Sequence, residues 1–424
     1  MRIIRNSWKP ERKRIVIFGA GKIGRSFIGQ LFGRARYEVV FIDTDPVLVH
    51  ALNRRRSYPV IIKGKRDRAL IIRRVRACLA TDKTLVADEI AGAAILAVSV
   101  GKNALEQVIP LIAAGLIKRH EAYPSIPLDI IIAENMRSAA RFMHERLACL
   151  LPTNYPMDQL VGLVETSIGK MVPLITKEDL QKDPLTLFAE EYNELILDRK
   201  GFKGGIPDVK GLCPKENIRA WVDRKAFIHN LGHTSIAYYG AFKHKNAKYI
   251  YEVLEDTEVY RFAYAVMMQA ARLLHAFYPD EYSLLELESH ISDLLIRFQN
   301  RALGDTIFRV GQDLTRKLGP DDRFMGIIRM AETKGMLHDR ITEAMTYGFF
   351  FNGKDDEGNM FPADVEFHHR LSIGLDTVLH EVCRCHSPQD NAIIAEIRRY
   401  YERSVSNISE KNYIDKTQLK SNKI

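Results

Sequence analysis

Lys225, Asn230 and His233 stand in the spacing K-x4-N-x2-H within WVDRKAFIHNLGHTSIAYY, residues 221–239. The residues before them, 214–220, open like a helix, with Pro214 near the start and Glu216 in the first turn. At about 100° per residue, positions 225, 230 and 233 project at about 0°, 140° and 80°, so an amine, a carboxamide and an imidazole share one side. That set suits metal-free oxidation of a secondary alcohol. A desolvated lysine falls from a reference pKa of about 10.4 toward neutrality, and its neutral amine can accept a hydroxyl proton. The asparagine amide can stabilise the developing alkoxide while the histidine orients the oxygen. Spacing alone also allows an ordinary helix whose polar side faces water.

Oxidation needs a hydride acceptor, and the N-terminal part of the chain carries a pattern for one. Arg14 to Phe18, RIVIF, reads as a short apolar strand running into Gly19-Ala20-Gly21-Lys22-Ile23-Gly24, with a helix marked by Phe27, Ile28, Leu31 and Phe32 after it. A second strand, 38–42, ends at Asp43, 19 residues beyond the last glycine. G-x-G-x-x-G between strand and helix gives a tight turn and a close backbone approach to a pyrophosphate, and the acid meets the ribose hydroxyls. Asp43 repels a 2′-phosphate and so favours NAD over NADP, with Arg25 and Arg54 to Arg56 as the opposing charges. Further α/β units follow: a strand at 94–98 leads to Ser99-Val100-Gly101, one at 128–133 to Glu134-Asn135, and another spans 161–165. In open parallel sheets ligands sit outside the carboxyl ends of strands, which puts Val100 and Gly101 beside the cofactor and Asn135 beside the substrate. Asn135 also suits the N-cap of the next helix.

The remaining composition bounds the class. The chain has 424 residues, 46% hydrophobic and 27% charged, which predicts a soluble protein of two domains. No apolar run approaches the roughly 18 residues of a membrane helix, and the basic N-terminus MRIIRNSWKPERKR has no apolar core for a signal peptide. Five scattered cysteines read as reduced, cytosolic thiols, and Cys383-Arg384-Cys385-His386 lacks a second ligand pair, so no metal is expected. The net charge is +9, and residues 54–76 hold ten Lys or Arg against Asp67 alone. Alternation with Val60, Ile61, Ile62, Leu70, Ile71 and Ile72 predicts strands with a basic solvated face, not a nucleic-acid groove with stacking aromatics. Residues 198–214, with four glycines and two prolines, mark a crossover. The expected division is a dinucleotide-binding domain over 1–200, a mostly α-helical substrate domain over 201–406 and a loose polar tail over 407–424.

These residues carry a resemblance. FGAGKIGRSFIG at 18–29, IIAENMR at 131–137, VGLVETSIGKMVP at 161–173, FKGGIPDVKGL at 202–212, K-x4-N-x2-H at 225–233 and RFQNRALGDTIFRVGQDLTRKL at 297–318 resemble the polyol-specific long-chain dehydrogenases, the mannitol dehydrogenase family, over about 14–357. The resemblance implies an α/β fold with an N-terminal Rossmann-type domain, a largely helical substrate domain, NAD, no metal and a lysine general base. It implies reversible oxidation of a sugar alcohol phosphate to the ketose phosphate, D-mannitol 1-phosphate to D-fructose 6-phosphate first of all, or the same chemistry on an unphosphorylated polyol or a sugar acid, by a monomer or small homo-oligomer. Lys225 matches the family's base, Asn230 and His233 the groups around the reacting oxygen, and Asn135 the second amide of an oxyanion site. Arg316 and Lys317 match basic positions at the substrate's polar end. This chain has Gly169-Lys170 where the family has Asp-Arg, and Gln312 where phosphate-specific relatives carry arginine. Lys170 keeps the positive charge and joins Arg316 and Lys317 as a candidate for an anionic substrate end. The intact Lys225, Asn230 and His233 argue against a catalytically idle NAD sensor.

Overall fold

Runs of β-branched and aliphatic residues build the first part of the chain into sheet. In the computed structural model, which describes residues 13–64, 66–386 and 388–421, the strands are β1 (Arg14–Phe18), β2 (Glu38–Asp43), β3 (Ser57–Ile62), β4 (Arg68–Arg73), β5 (Val75–Leu79), β6 (Ile95–Val98), β7 (Leu128–Ile132), β8 (Val161–Ser167), β9 (Leu187–Ala189), β10 (Leu195–Asp198) and β11 (Leu212–Lys215). The basic stretch before residue 13, read as no signal peptide, lies outside the described residues, as do 422–424 of the tail.

Eight strands form one sheet in the order β11-β10-β8-β7-β6-β1-β2-β5. From β5 to β8 every pairing is parallel; β10 runs antiparallel to β8, and β11 parallel to β10. The six parallel strands have the doubly wound order of dinucleotide-binding domains, with the reversal between β1 and β6. Alternate residues of β1 feed opposite cores: Ile15 and Ile17 pack with Phe27, Phe41 and Tyr58, and Val16 and Phe18 with Ile90, Leu105 and Ile112. Burial on both faces explains why these strands read as unbroken apolar runs. A second sheet, β4-β3-β9, takes up the basic stretch. Tyr58, Val60 and Ile62 point into the core while most of β4 is exposed, as the alternation predicts.

The chain divides into two compact units, at Val222/Asp223. Residues from Asp223 onward are helical, with helices at Leu231–Lys243, Thr257–Phe277, Leu284–Phe298, Met325–Thr333 and Asp339–Tyr347 among them. Thr257–Phe277 buries Val259, Ala263, Val266, Met267, Ala270, Ala271 and Leu274, the stripe of a helix covering a core on one side. Asp256 and Ser283 cap the first turns of their helices.

Two expectations need correction here. Pro214 opens no helix: it sits in β11, an edge strand, where a missing N–H breaks no ladder. The last helix, Asn391–Ser421, continues through the stretch from 407 expected to be a loose tail, since no proline or glycine interrupts it. Among the described residues no helix is long and apolar enough to cross a membrane, and no group of three or more His, Cys, Asp or Glu could hold a metal ion.

Candidate active site

In the first unit the three glycines of the turn after β1 each meet a different physical demand. Gly19 has φ +89°, and a Cβ there would lie 2.5 Å from the Ser99 carbonyl oxygen at the end of β6. A Cβ on Gly24 would lie 2.0 Å from the Gly19 carbonyl oxygen, so helix and strand can close only over glycine. A Cβ on Gly21 would meet nothing within 4 Å. Gly21 therefore faces open space beside the first turn of a helix, where Lys22, Ile23 and Gly24 present backbone amides, the geometry that receives a pyrophosphate. The residues present fit a dinucleotide. Asp43 ends β2 as expected; its Oδ2 accepts from the Ala20 N–H at 2.7 Å and its Oδ1 from the Asp45 N–H at 3.0 Å.

The loop after β6 is fixed by a residue to which sequence reasoning gave no role. Glu134 is buried, and its Oε1 accepts from the N–H groups of Val100 and Gly101 at 2.7 and 3.0 Å. Burial pushes its carboxyl up, and the two amide bonds pull it part of the way back. Asn135 follows as an exposed residue in a bend. It is not the N-cap of the next helix, Ala139–Ala148; that position is Ser138, at φ 55°, and the Glu165 carboxylate in β8 accepts from the Ser138 and Ala139 amides.

In the second unit, Lys225–Asn230 forms a π-helical turn between the helices Ile218–Arg224 and Leu231–Lys243. A π turn closes i to i+5, and the Leu231 N–H bonds back to the Ala226 carbonyl in that pattern. Lys225 and Asn230 are five apart, so the turn stacks them on one face, where an α-helix holds them about 140° apart. From Phe227 to Gly240 every residue is buried except Asn230 and His233. Lys225 keeps part of its surface open, yet burial and the Arg323 guanidinium push its ammonium down to about 8, against the opposing pull of Asp322.

Arg323, buried and without any spacing signal in the sequence, braces this turn. Its NH1 donates to the Asn230 carbonyl at 3.3 Å and to Thr234 Oγ1 at 2.9 Å, and its Nε to Asp322 Oδ1 at 2.9 Å. The His233 ring stacks on Phe298 with centroids 4.3 Å apart and planes 6° from parallel. Its Nε2 lies 3.3 Å from Asp305 Oδ2, close enough for an ion pair though not aligned as a strong hydrogen bond. Burial lowers the imidazole, Asp305 opposes that, and Arg309 and Lys317 add to the lowering.

The three cations expected at an anionic substrate end all have internal partners. Lys170 is buried and donates to the carbonyls of Glu190 and Tyr192 and to Asn193 Oδ1, over the Phe27 ring. Lys317 is buried and donates to the carbonyls of Val310 and Gln312; burial, with Arg323 and Arg316 nearby, pushes it down to about 7. Arg316 is half exposed and pairs with Asp313 and Asp322. One π turn and the first turn of the helix after it thus carry Lys225, Asn230 and His233, and Lys317 is near enough for its charge to lower the His233 imidazole. Lys170 and Asn135 belong to the first unit.

The family profile for the mannitol dehydrogenase Rossmann domain matches residues 13–211, and that for the mannitol dehydrogenase C-terminal domain matches 217–404. The chain belongs to the mannitol dehydrogenase family. Among solved structures, Pseudomonas fluorescens mannitol 2-dehydrogenase, in a ternary complex with NAD and D-mannitol, is similar with a TM-score of 0.72 at 15% identity, over 94% of this chain and 95% of that one. Staphylococcus aureus ketopantoate reductase matches with a TM-score of 0.42 at 12% identity, over 79% of this chain and 97% of that one. As a mannitol dehydrogenase family member the chain is an oxidoreductase with a Rossmann-type domain followed by a helix-rich one.

Proposed function

We propose that this protein oxidises a secondary hydroxyl of a sugar alcohol to the ketone, reversibly, with NAD. When bound, NAD supplies the hydride acceptor at C4 of its nicotinamide. Lys225 removes the hydroxyl proton as the neutral amine, Asn230 donates its amide to the oxygen as charge develops, and His233 orients the substrate. The observation that carries this reading is the burial pattern: in an otherwise buried stretch only Asn230 and His233 stay open, on the face to which the π turn brings Lys225. Asn135's part in the same step rests on the family resemblance alone. Gly19, Gly21 and Gly24 fit the pyrophosphate, and the Asp43 carboxylate suits the ribose hydroxyls and disfavours the extra phosphate of NADP.

An uncharged polyol is the substrate class this geometry supports best, because Lys170 donates to three internal acceptors, Lys317 to two backbone carbonyls, and Arg316 is ion-paired. D-mannitol 1-phosphate, oxidised to fructose 6-phosphate, is the second reading; Arg316 favours it, being half exposed with donors beyond its two carboxylates. NADH oxidation with fructose and with fructose 6-phosphate, each repeated with NADPH, tests both readings. Turnover of fructose with NADH supports the first, and turnover of fructose 6-phosphate alone replaces it with the second. No turnover with any ketose or hexuronate removes the polyol reading.

A further inference from the structure

We infer that Asp305 is a positioning residue that holds His233 as a hydrogen-bond acceptor, so that Nδ1 receives a substrate hydroxyl next to the reacting carbon. The identity of that hydroxyl rests on the polyol reading above; the tautomer does not. Three contacts fix the imidazole. Phe298, stacked at 4.3 Å, sets the plane of the ring. Nε2 lies 3.3 Å from Asp305 Oδ2, and among the described residues neither of these buried atoms has a hydrogen-bond partner, which makes each the one polar group within reach of the other. The other oxygen of Asp305 is held by Arg309.

A carboxylate kept charged by an arginine can only accept, so the proton between Asp305 and His233 belongs to the imidazole and sits on Nε2. A neutral imidazole has one N–H, which leaves the lone pair on Nδ1. A second proton is disfavoured by burial and by the charges of Arg309 and Lys317; the neighbouring His229, 6.4 Å away between ring centroids, is itself held neutral by burial. His233 then cannot donate to a ketone oxygen. The reacting hydroxyl has a single proton, which Lys225 takes. The hydrogen bond accepted by Nδ1 must come from another hydroxyl, and the nearest lies on an adjacent carbon. The site thereby selects a vicinal diol over an isolated secondary alcohol.

The test has two arms. In the first, wild-type protein and Asp305→Asn are compared on a polyol and on its deoxy analogue lacking the hydroxyl beside the reacting carbon. An asparagine amide can donate to Nε2 and move the ring proton to Nδ1, as replacing the carboxylate of a His–Asp pair by its amide does elsewhere. Wild type is expected to prefer the diol by about 10–10²-fold in kcat/KM, and Asp305→Asn to lose most of that preference. A purely structural role would lower both substrates equally; an unchanged preference in a folded Asp305→Asn overturns the proposal. The second arm needs neither substrate nor variant folding. In protein with ¹⁵N-labelled histidine, the ring nitrogens of His233 are expected to show Nε2 protonated; an Nδ1–H tautomer overturns the proposal. If no polyol is turned over, the function reading fails while the tautomer measurement still decides the role of Asp305.

Discussion

At the scale of single residues, the proposed chemistry turns on Lys225. Its ammonium, pushed down to about 8, must be neutral to accept a proton, so oxidation is expected to rise with pH through about 8. Reduction starts from the charged form and is expected to fall over the same range. Lys225→Ala should lower kcat by about 10²–10⁴-fold with NADH binding, read by fluorescence, nearly intact. The glycines of the turn make a second pair of predictions. Gly21→Ala adds a methyl to open space, so the melting temperature should stay close to wild type while NAD affinity drops about tenfold or more. Gly24→Ala drives a methyl into the Gly19 carbonyl and should cost about 1–3 kcal/mol of stability, read from urea unfolding. The types and spacing of these residues were legible in the sequence. The partners of the charged ones were not: Arg323 is 93 positions from Asn230, and Lys170 finds its acceptors 20 or more positions away. Three cations that looked available for a substrate are held by the fold itself.

At the scale of elements, strand and helix types were legible wherever one physical demand dominated. β1, β6 and β7, buried on both faces, left continuous apolar runs, and Thr257–Phe277 left a clean helical stripe. β11 was hidden by Pro214, which signals a helix start and an edge strand equally well. The π turn was hidden because periodicity assumes a constant rise and rotation, which Lys225–Asn230 does not keep. Deleting Ala226 should let this segment return to an ordinary α-helix. Circular dichroism is then expected to show little loss of helix, and turnover should largely survive, because the deletion leaves Lys225 and Asn230 four positions apart, about 40° on an α-helix and still on one face. Loss of turnover in a folded deletion variant would mean that the geometry needs the π turn itself and not only a shared face.

At the scale of the whole molecule, stability toward acid has an identifiable contributor. Glu38 bonds to both Arg14 and Arg76, and Arg76 also holds the buried Glu89. Burial would raise the Glu38 carboxyl, but the two arginines more than reverse this and leave it below its ordinary value. A depressed carboxylate contributes its stability in full above the unfolded pKa of about 4.3 and loses it as pH falls through the folded value. Glu38→Gln is therefore expected to cost about 1–3 kcal/mol at neutral pH and much less near pH 3, measured as urea midpoints. The net charge of +9 is carried partly by the β3–β4 hairpin, where Arg68 and Arg73 of β4 are exposed but β3 holds no basic residue and Ile71 shares the open side, so the expected basic face is confined to the ends of β4.

The π turn has a consequence for anyone who would move this chemistry to another scaffold. Copying the letters K-x4-N-x2-H onto an ideal designed helix would transfer the residues without the constellation. The amine and the carboxamide would part by more than a third of a turn, though Asn230 and His233, three apart, would still be neighbours. A transplant has to carry the defect in the helix along with the motif. Equally, a search for such sites that scores only α-helical faces will pass over chains whose working groups are aligned by one extra residue.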